Sequence, residues 1–156
     1  MFTKPTHSQN GLSTLELLLV IAVIGIILAI IVPSLISFRK NQAIQNTTNA
    51  IVSLLEEART KTLASYNNTF YSVHFDTSSA TLFTGGTYSS SDATNKILLY
   101  DSPVVLQSAS LSGGGADIKF DRLKGTTSQY GTIIVQIPSG TSRTITVSAG
   151  GVITRD

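Results

Sequence analysis

The polarity of the chain falls into three regimes. From Leu12 to Val32 every position is apolar except Ser13, Thr14, Glu16 and Gly25, and Glu16 is the only charged residue among them. Wound as a helix, those 21 residues span ~31 Å at ~1.5 Å per residue, against a hydrocarbon core of ~30 Å. This stretch is predicted to cross a membrane. Past Pro33 the apolar pattern becomes periodic: Ile44, Thr47/Thr48, Ile51, Leu54/Leu55, Ala58 and Thr62 recur at steps of three and four, which marks one face of an amphipathic helix. Asn46, Asn49, Ser53, Glu56, Glu57 and Lys61 fall mainly between them. The pattern predicts one long helix from about Leu12 to about Ser65, bent near Pro33 and stopping before Asn67-Asn68. Two helices divided at Pro33 are the alternative.

From Thr69 the period is two. Tyr71, Val73 and Phe75 alternate with Ser72, His74 and Asp76, predicting a half-buried strand. Asp76-Thr77-Ser78-Ser79 is a turn cluster, and Ala80 to Thr84 reads as the returning strand. Gly85 to Asn95 reads as a mobile polar loop of low complexity. Further strands are predicted at Lys96–Tyr100, Val104–Ser108, Asp117–Phe120, Gly131–Ile137 and Arg143–Ser148, with Val152–Thr154 as a possible short edge. Gly113-Gly114-Gly115 and Pro138-Ser139-Gly140 supply turns. The fold class is therefore α+β, a long helix with antiparallel sheets of six or seven short strands. The chain divides into residues 1–11, 12–33, 34–66 and 67–156: a leader, an apolar helix, its amphipathic continuation and a C-terminal strand domain.

Glu16 is the position that asks for an explanation. A carboxylate at the mouth of a membrane-length apolar run is costly in lipid and is a functional candidate by default. Its surroundings, Gly11-Leu12-Ser13-Thr14-Leu15-Glu16, resemble the class III signal of type IV prepilins and pseudopilins. The resemblance implies that a prepilin peptidase/methylase removes the leader after Gly11 on the cytoplasmic side. It further implies that Leu12 becomes the N-methylated first residue and that Glu16 is the fifth mature position. Members of the family more often begin with Phe or Met; Leu12 departs from that habit but stays apolar. Pro33 stands where the family commonly carries a helix-kinking proline. In the family the glutamate is thought to pair with the N-terminal ammonium of a neighbouring subunit, which is physically sensible because a carboxylate in an apolar bundle is expensive until a cation meets it. Snorkelling of Glu16 to the headgroups is the plainer alternative. Gly25 and Pro33 bracket a stretch that can lose helicity in assembled filaments, at an intrinsic cost to the helix of ~1 kcal/mol for Gly and ~3 for Pro; Gly25 serving only as a small contact residue is the other reading.

The later elements are similar to GspH/FimT-type minor pseudopilins. Those elements are Ala58-Arg59, the hairpin Tyr71–Phe83, Phe120-Asp121-Arg122-Leu123-Lys124-Gly125, and Thr132–Val147 followed by Gly150-Gly151-Val152; the Phe-to-Gly spacing is one residue longer than usual. This likeness implies a pilin-like fold and a non-catalytic structural subunit of a type II secretion or type IV pilus filament. The implied partners are other pilins or pseudopilins, the inner-membrane assembly platform and membrane lipid. The implied location is the bacterial inner membrane, single-pass with the N-terminus cytoplasmic, and then the filament. A major or minor pilus subunit and a DNA-binding component of DNA uptake are the alternatives.

Other readings of the N-terminus fit less well. A secretory signal would carry an apolar region of ~7–15 residues and a small-x-small cleavage site, whereas this run is longer and leads into Val32-Pro33-Ser34-Leu35-Ile36. Lys4 on one side against Arg39 and Lys40 on the other weakly favours the opposite orientation by charge; the processing motif is the more specific signal.

Composition limits the chemistry. There is no cysteine, hence no disulfide framework and no thiolate. The net charge of +2 is too small to argue for a nucleic-acid partner. The local candidates for DNA contact are Lys119, Arg122, Lys124, Arg143 and Arg155, opposed by Asp117, Asp121 and Asp156. His74 is the one histidine beyond the leader and reads as a strand-face residue. No set of ligands has zinc or calcium-loop spacing, no cofactor is expected, and no catalytic constellation is visible.

Overall fold

The computed structural model describes residues 13–138 and 140–156; Gly11 and Leu12 of the expected processing site lie outside them. The first element, α1, is a single helix over Thr14–Leu63 that includes Pro33. By contact the chain divides between Phe38 and Arg39. In the first unit every described residue is exposed.

In the second unit, Arg39–Asp156, α1 buries Ile44, Thr47, Thr48, Ile51, Leu54, Leu55, Ala58 and Thr62, the stripe expected from the three-four periodicity. Each aliphatic residue withdrawn this way contributes ~1.5–3 kcal/mol. The three threonines hold because their hydroxyls are satisfied, as buried polar groups must be. Thr48 Oγ1 donates to the Ile44 carbonyl at 2.7 Å, Thr47 Oγ1 accepts the Asp101 N–H at 3.1 Å, and Thr62 Oγ1 accepts the Tyr71 N–H at 2.8 Å. The helix stops where Ser65, Asn67 and Asn68 take positive φ, the last two in a short 3₁₀ turn over Tyr66–Asn68; a left-handed residue cannot propagate a right-handed helix.

Eight strands follow: β1 (Tyr71–Phe75), β2 (Ser79–Thr84), β3 (Lys96–Leu99), β4 (Val105–Leu111), β5 (Asp117–Lys119), β6 (Gly131–Gln136), β7 (Ser142–Val147) and β8 (Ile153–Arg155). This corrects the count of six or seven, because the short edge at β8 pairs fully with β7 from Ile145↔Arg155 to Val147↔Ile153. β4 also runs further than the pattern suggested. A register shift between Leu106 and Ser108 lets the strand continue to Leu111↔Gly131, and such an irregularity breaks the alternation that marks a strand in sequence. All pairings are antiparallel and form two sheets, ordered β3-β2-β1-β5 and β4-β6-β7-β8. The back of α1 shares one core with both, through Val73, Phe75, Leu82 and Ile118 of the first and Ile133, Val135, Ile145 and Val147 of the second.

The outer face of the first sheet is covered as well. Ser72, Thr81 and Phe83 are buried there. The polar loop after β2 lays Tyr88 over them, stacked on His74 at 3.9 Å and edge-on to Phe83 at 5.5 Å between ring centres. This loop, expected to be mobile, is thus held by an aromatic anchor.

Candidate functional site

The front of α1 is built to meet apolar surroundings. Its most apolar 18-residue window has a mean hydropathy of 3.2, and none of it is buried by the rest of the described chain. Leu15, Leu18, Ile26 and Ile30 are each more than 60% exposed, and neighbours fill every direction around the axis. A helix apolar all round cannot rest one face on a globular core; it requires lipid or other helices on all sides. By length and composition α1 is able to cross a membrane.

Glu16 lies in the first turn of this helix and is exposed. The Ser13 carbonyl accepts the Leu17 N–H at 3.1 Å, which places Ser13 at the helix entrance. Ser13 and Glu16 therefore stand three residues apart, with the spacing of a capping box. A carboxylate here is favoured by the unpaired N–H groups and the helix dipole by ~0.3–1 kcal/mol. The Ser13-x-x-Glu16 spacing is readable in the sequence and offers Glu16 a capping task within one chain beside any role between chains. Gly25 has no atom within 4 Å of the place a Cβ would occupy, so nothing among the described residues requires a glycine there. Pro33 leaves the Ala29 carbonyl without its helical N–H partner.

Three separate parts of the late sequence motif, at Arg59, Gly125 and Gly151, meet at one point. Ala58 and Phe120 are buried in the core. Arg59 Nε donates to the Gly125 carbonyl at 3.2 Å. Gly151, at φ +75°, lies so close that a Cβ would sit 1.9 Å from the Gly125 oxygen. The helix, the β5–β6 connection and the β7–β8 turn are thus fastened together through one guanidinium and two glycines.

Four of the five basic candidates divide between two hollows, and Lys124 lies in neither. Lys119 and Arg122 line a hollow of about 330 Å³ with Phe70 and Asp121. Arg122 is tied down, its guanidinium donating to Ser65 Oγ at 2.5 Å and to Asn68 Oδ1. Lys124 lies in the exposed turn before Gly125. Arg143 and Arg155 instead share a cleft of about 290 Å³ with Gln45, Thr48, Asn49 and Asp156. The helix residues of that cleft were not foreseen, since they are far from both arginines in sequence.

His74 is half-buried, with Nδ1 2.5 Å from Asp117 Oδ1 and Nε2 3.6 Å from Asp76 Oδ1. Among the described residues no hydroxyl is hydrogen-bonded to either ring nitrogen, and no group of three or more His, Asp or Glu side chains converges as metal ligands. Glu57 bridges Lys61 at 2.8 Å and Lys96 at 2.6 Å. Those two hydrogen bonds hold its carboxyl below the usual glutamate range, and the bond to Glu57 raises Lys61. Burial pushes the Tyr100 phenol upward.

No family model matches the chain, and comparison with curated proteins and with solved structures gives no significant match.

Proposed function

We propose that the chain is a type IV pilin-like subunit of the minor pseudopilin kind, non-catalytic, anchored by the front of α1 and built through it into a filament. The observation that carries this reading is the division of one helix. Its front is apolar on every side with a single carboxylate in the first turn, while its back is buried in an α+β unit. The meeting of Arg59, Gly125 and Gly151 supports the more specific kinship, because three scattered elements of the resemblance serve one contact. In this reading Gly11–Leu12 is the processed bond and Glu16 receives the N-terminal ammonium of a neighbour.

Two substitutions separate the roles open to Glu16. Gln keeps the hydrogen-bonding capacity of a capping box and removes the charge; Ala removes both. Co-expressed with a prepilin peptidase, the wild-type chain is expected to lose residues 1–11 and gain one N-terminal methyl group by mass spectrometry. Glu16→Gln and Glu16→Ala are both expected to be processed yet to enter filaments at least about tenfold less. Normal incorporation of Glu16→Gln would reduce Glu16 to a capping residue. Deletion scored for secretion, surface pili and DNA uptake then distinguishes a secretion pseudopilin from a pilus subunit or an uptake component.

A further inference from the structure

The cleft between the back of α1 and the free edge of the second sheet holds two arginines for which the filament reading has no use. In the ladder, Arg143 lies opposite Val135 and Arg155 opposite Ile145. Opposed residues in a sheet share a face, and Val135 and Ile145 are fully buried against the core. Both arginines therefore leave the sheet on its core side, toward α1, Arg143 half-buried and Arg155 still exposed at the sheet edge. They are diagonal neighbours, a relation that roots their side chains ~7–8 Å apart on the sheet. Two like charges that share one cleft disfavour each other and favour an anion between them.

Among the described residues, neither arginine has a carboxylate within 4 Å; the four ion pairs present involve Glu57, Asp76 and Asp117 only. Asp156 lines the same cleft, but its own N–H is committed to the Thr144 carbonyl and its carboxylate pairs with neither arginine. Gln45, Thr48 and Asn49 close the cleft from the helix side. The Thr48 hydroxyl already donates to Ile44, so the carboxamides of Gln45 and Asn49 are the helix groups left to contribute. A second hollow of about 360 Å³ adjoins the first, sharing Asn49 and Arg155 and adding Val52, Ser53, Glu56 and Ile153. The two together form a channel alongside β8, the strand at the sheet edge. It is basic at the Arg143–Arg155 end, negative at Glu56, and has Val52 and Ile153 between.

We propose that this channel is a binding site for an extended polypeptide segment carrying a carboxylate side chain, which the Arg143–Arg155 pair receives. Guanidinium forks match carboxylates bidentately, and an unpaired sheet edge accepts an extended chain by main-chain hydrogen bonds. Arg143 is only half-exposed within a cleft of about 290 Å³. A half-buried Arg143 is reached more readily by an acidic side chain on a flexible chain than by a duplex backbone, which would meet only the exposed Arg155. The site is independent of filament formation and goes beyond it.

The test uses the full chain in detergent micelles, with the arginine Nε–H resonances followed by NMR. The probes are a blocked pentapeptide Thr-Val-Glu-Val-Thr, its Gln counterpart, inorganic phosphate and a short DNA duplex. The Glu peptide is expected to shift the Arg143 and Arg155 signals saturably, with the Gln peptide binding about tenfold or more weakly. Arg155→Gln, at an exposed position that leaves the fold intact, is expected to weaken the Glu peptide about tenfold, Lys124→Gln to leave it unchanged, and Asp156→Asn to tighten it. Equal binding of the two peptides, indifference to Arg155→Gln, or no binding of any probe would overturn the proposal. Phosphate or duplex binding at these arginines more tightly than the Glu peptide would overturn it also, and would assign the cleft to those anions. None of these outcomes depends on whether Glu16 variants assemble.

Discussion

At Gly151 the absence of one methyl group decides whether three parts of the chain can meet. A Cβ there would lie 1.9 Å from the Gly125 carbonyl oxygen, which is backbone, and 2.9 Å from Arg59 Nε. At Gly125 the obstacle is the side chain of Leu63 at 2.8 Å, which is partly exposed and able to turn aside. Gly151→Ala is therefore expected to destabilise by about 3 kcal/mol or more, and Gly125→Ala by about 1–2, in urea unfolding followed by circular dichroism. Glu57 gives a prediction in pH. Its carboxyl is held low in the folded state by Lys61 and Lys96, so its stabilisation is complete above the ordinary glutamate pKa of ~4.3 and fades as pH falls through the lowered value. Lys61 is raised, so its share is present through neutral pH and fades only as pH climbs through that raised value, above ~10.4. Glu57→Gln is expected to flatten the acid side of a stability–pH profile below about pH 4.3 while changing neutral stability by less than about 1 kcal/mol. A wild-type and variant profile of the same acid slope would contradict this. At this scale the stripe residues were legible because threonine in an apolar stripe can satisfy its own hydroxyl. The tie between Lys96 and Glu57 was not, because nothing local links a strand start to a helix.

Elements were the most readable level. The three-four repeat from Ile44 to Thr62 and the alternation of Tyr71, Val73 and Phe75 reflect burial on one face, and burial is what the structure shows. Pairing was less readable. β5 follows β4 in sequence yet joins β1 in the other sheet, with Gly113, Gly114 and Gly115 all at positive φ in the connection. A sheet assignment is a contact between distant segments, and the strand pattern fixes which face is buried without saying which partner lies alongside. The two halves of α1 are expected to respond oppositely to the same kind of change. Leu55, fully buried, should cost about 2–5 kcal/mol as Leu55→Ala. Ile27, exposed in the front, should leave the unfolding midpoint of residues 39–156 unmoved as Ile27→Ala. Chemical denaturation of both variants in detergent checks the contrast.

For the molecule as a whole, the division between Phe38 and Arg39 predicts that the second unit carries its own fold. A chain cut to 39–156 is expected to remain soluble without detergent and to unfold in a single transition, coincident by fluorescence and circular dichroism, at the midpoint seen for the full chain. Loss of cooperativity in the shortened chain would show that the front of α1 supports the core after all. The arginine cleft was hidden from the sequence for a whole-molecule reason. Arg143 and Arg155 look like ordinary solvated charge until the register sets them on the core side of the sheet, facing helix positions near residue 45. The same long reach of contacts sets the order of events during synthesis. The fastening of Arg59 by Gly125 and Gly151 waits for Gly151 to leave the ribosome, long after the apolar front of α1 has emerged. The nascent chain thus has its most apolar segment in the open while its core is still unbuilt, so early shelter for that segment protects this protein more than rapid folding of the core does.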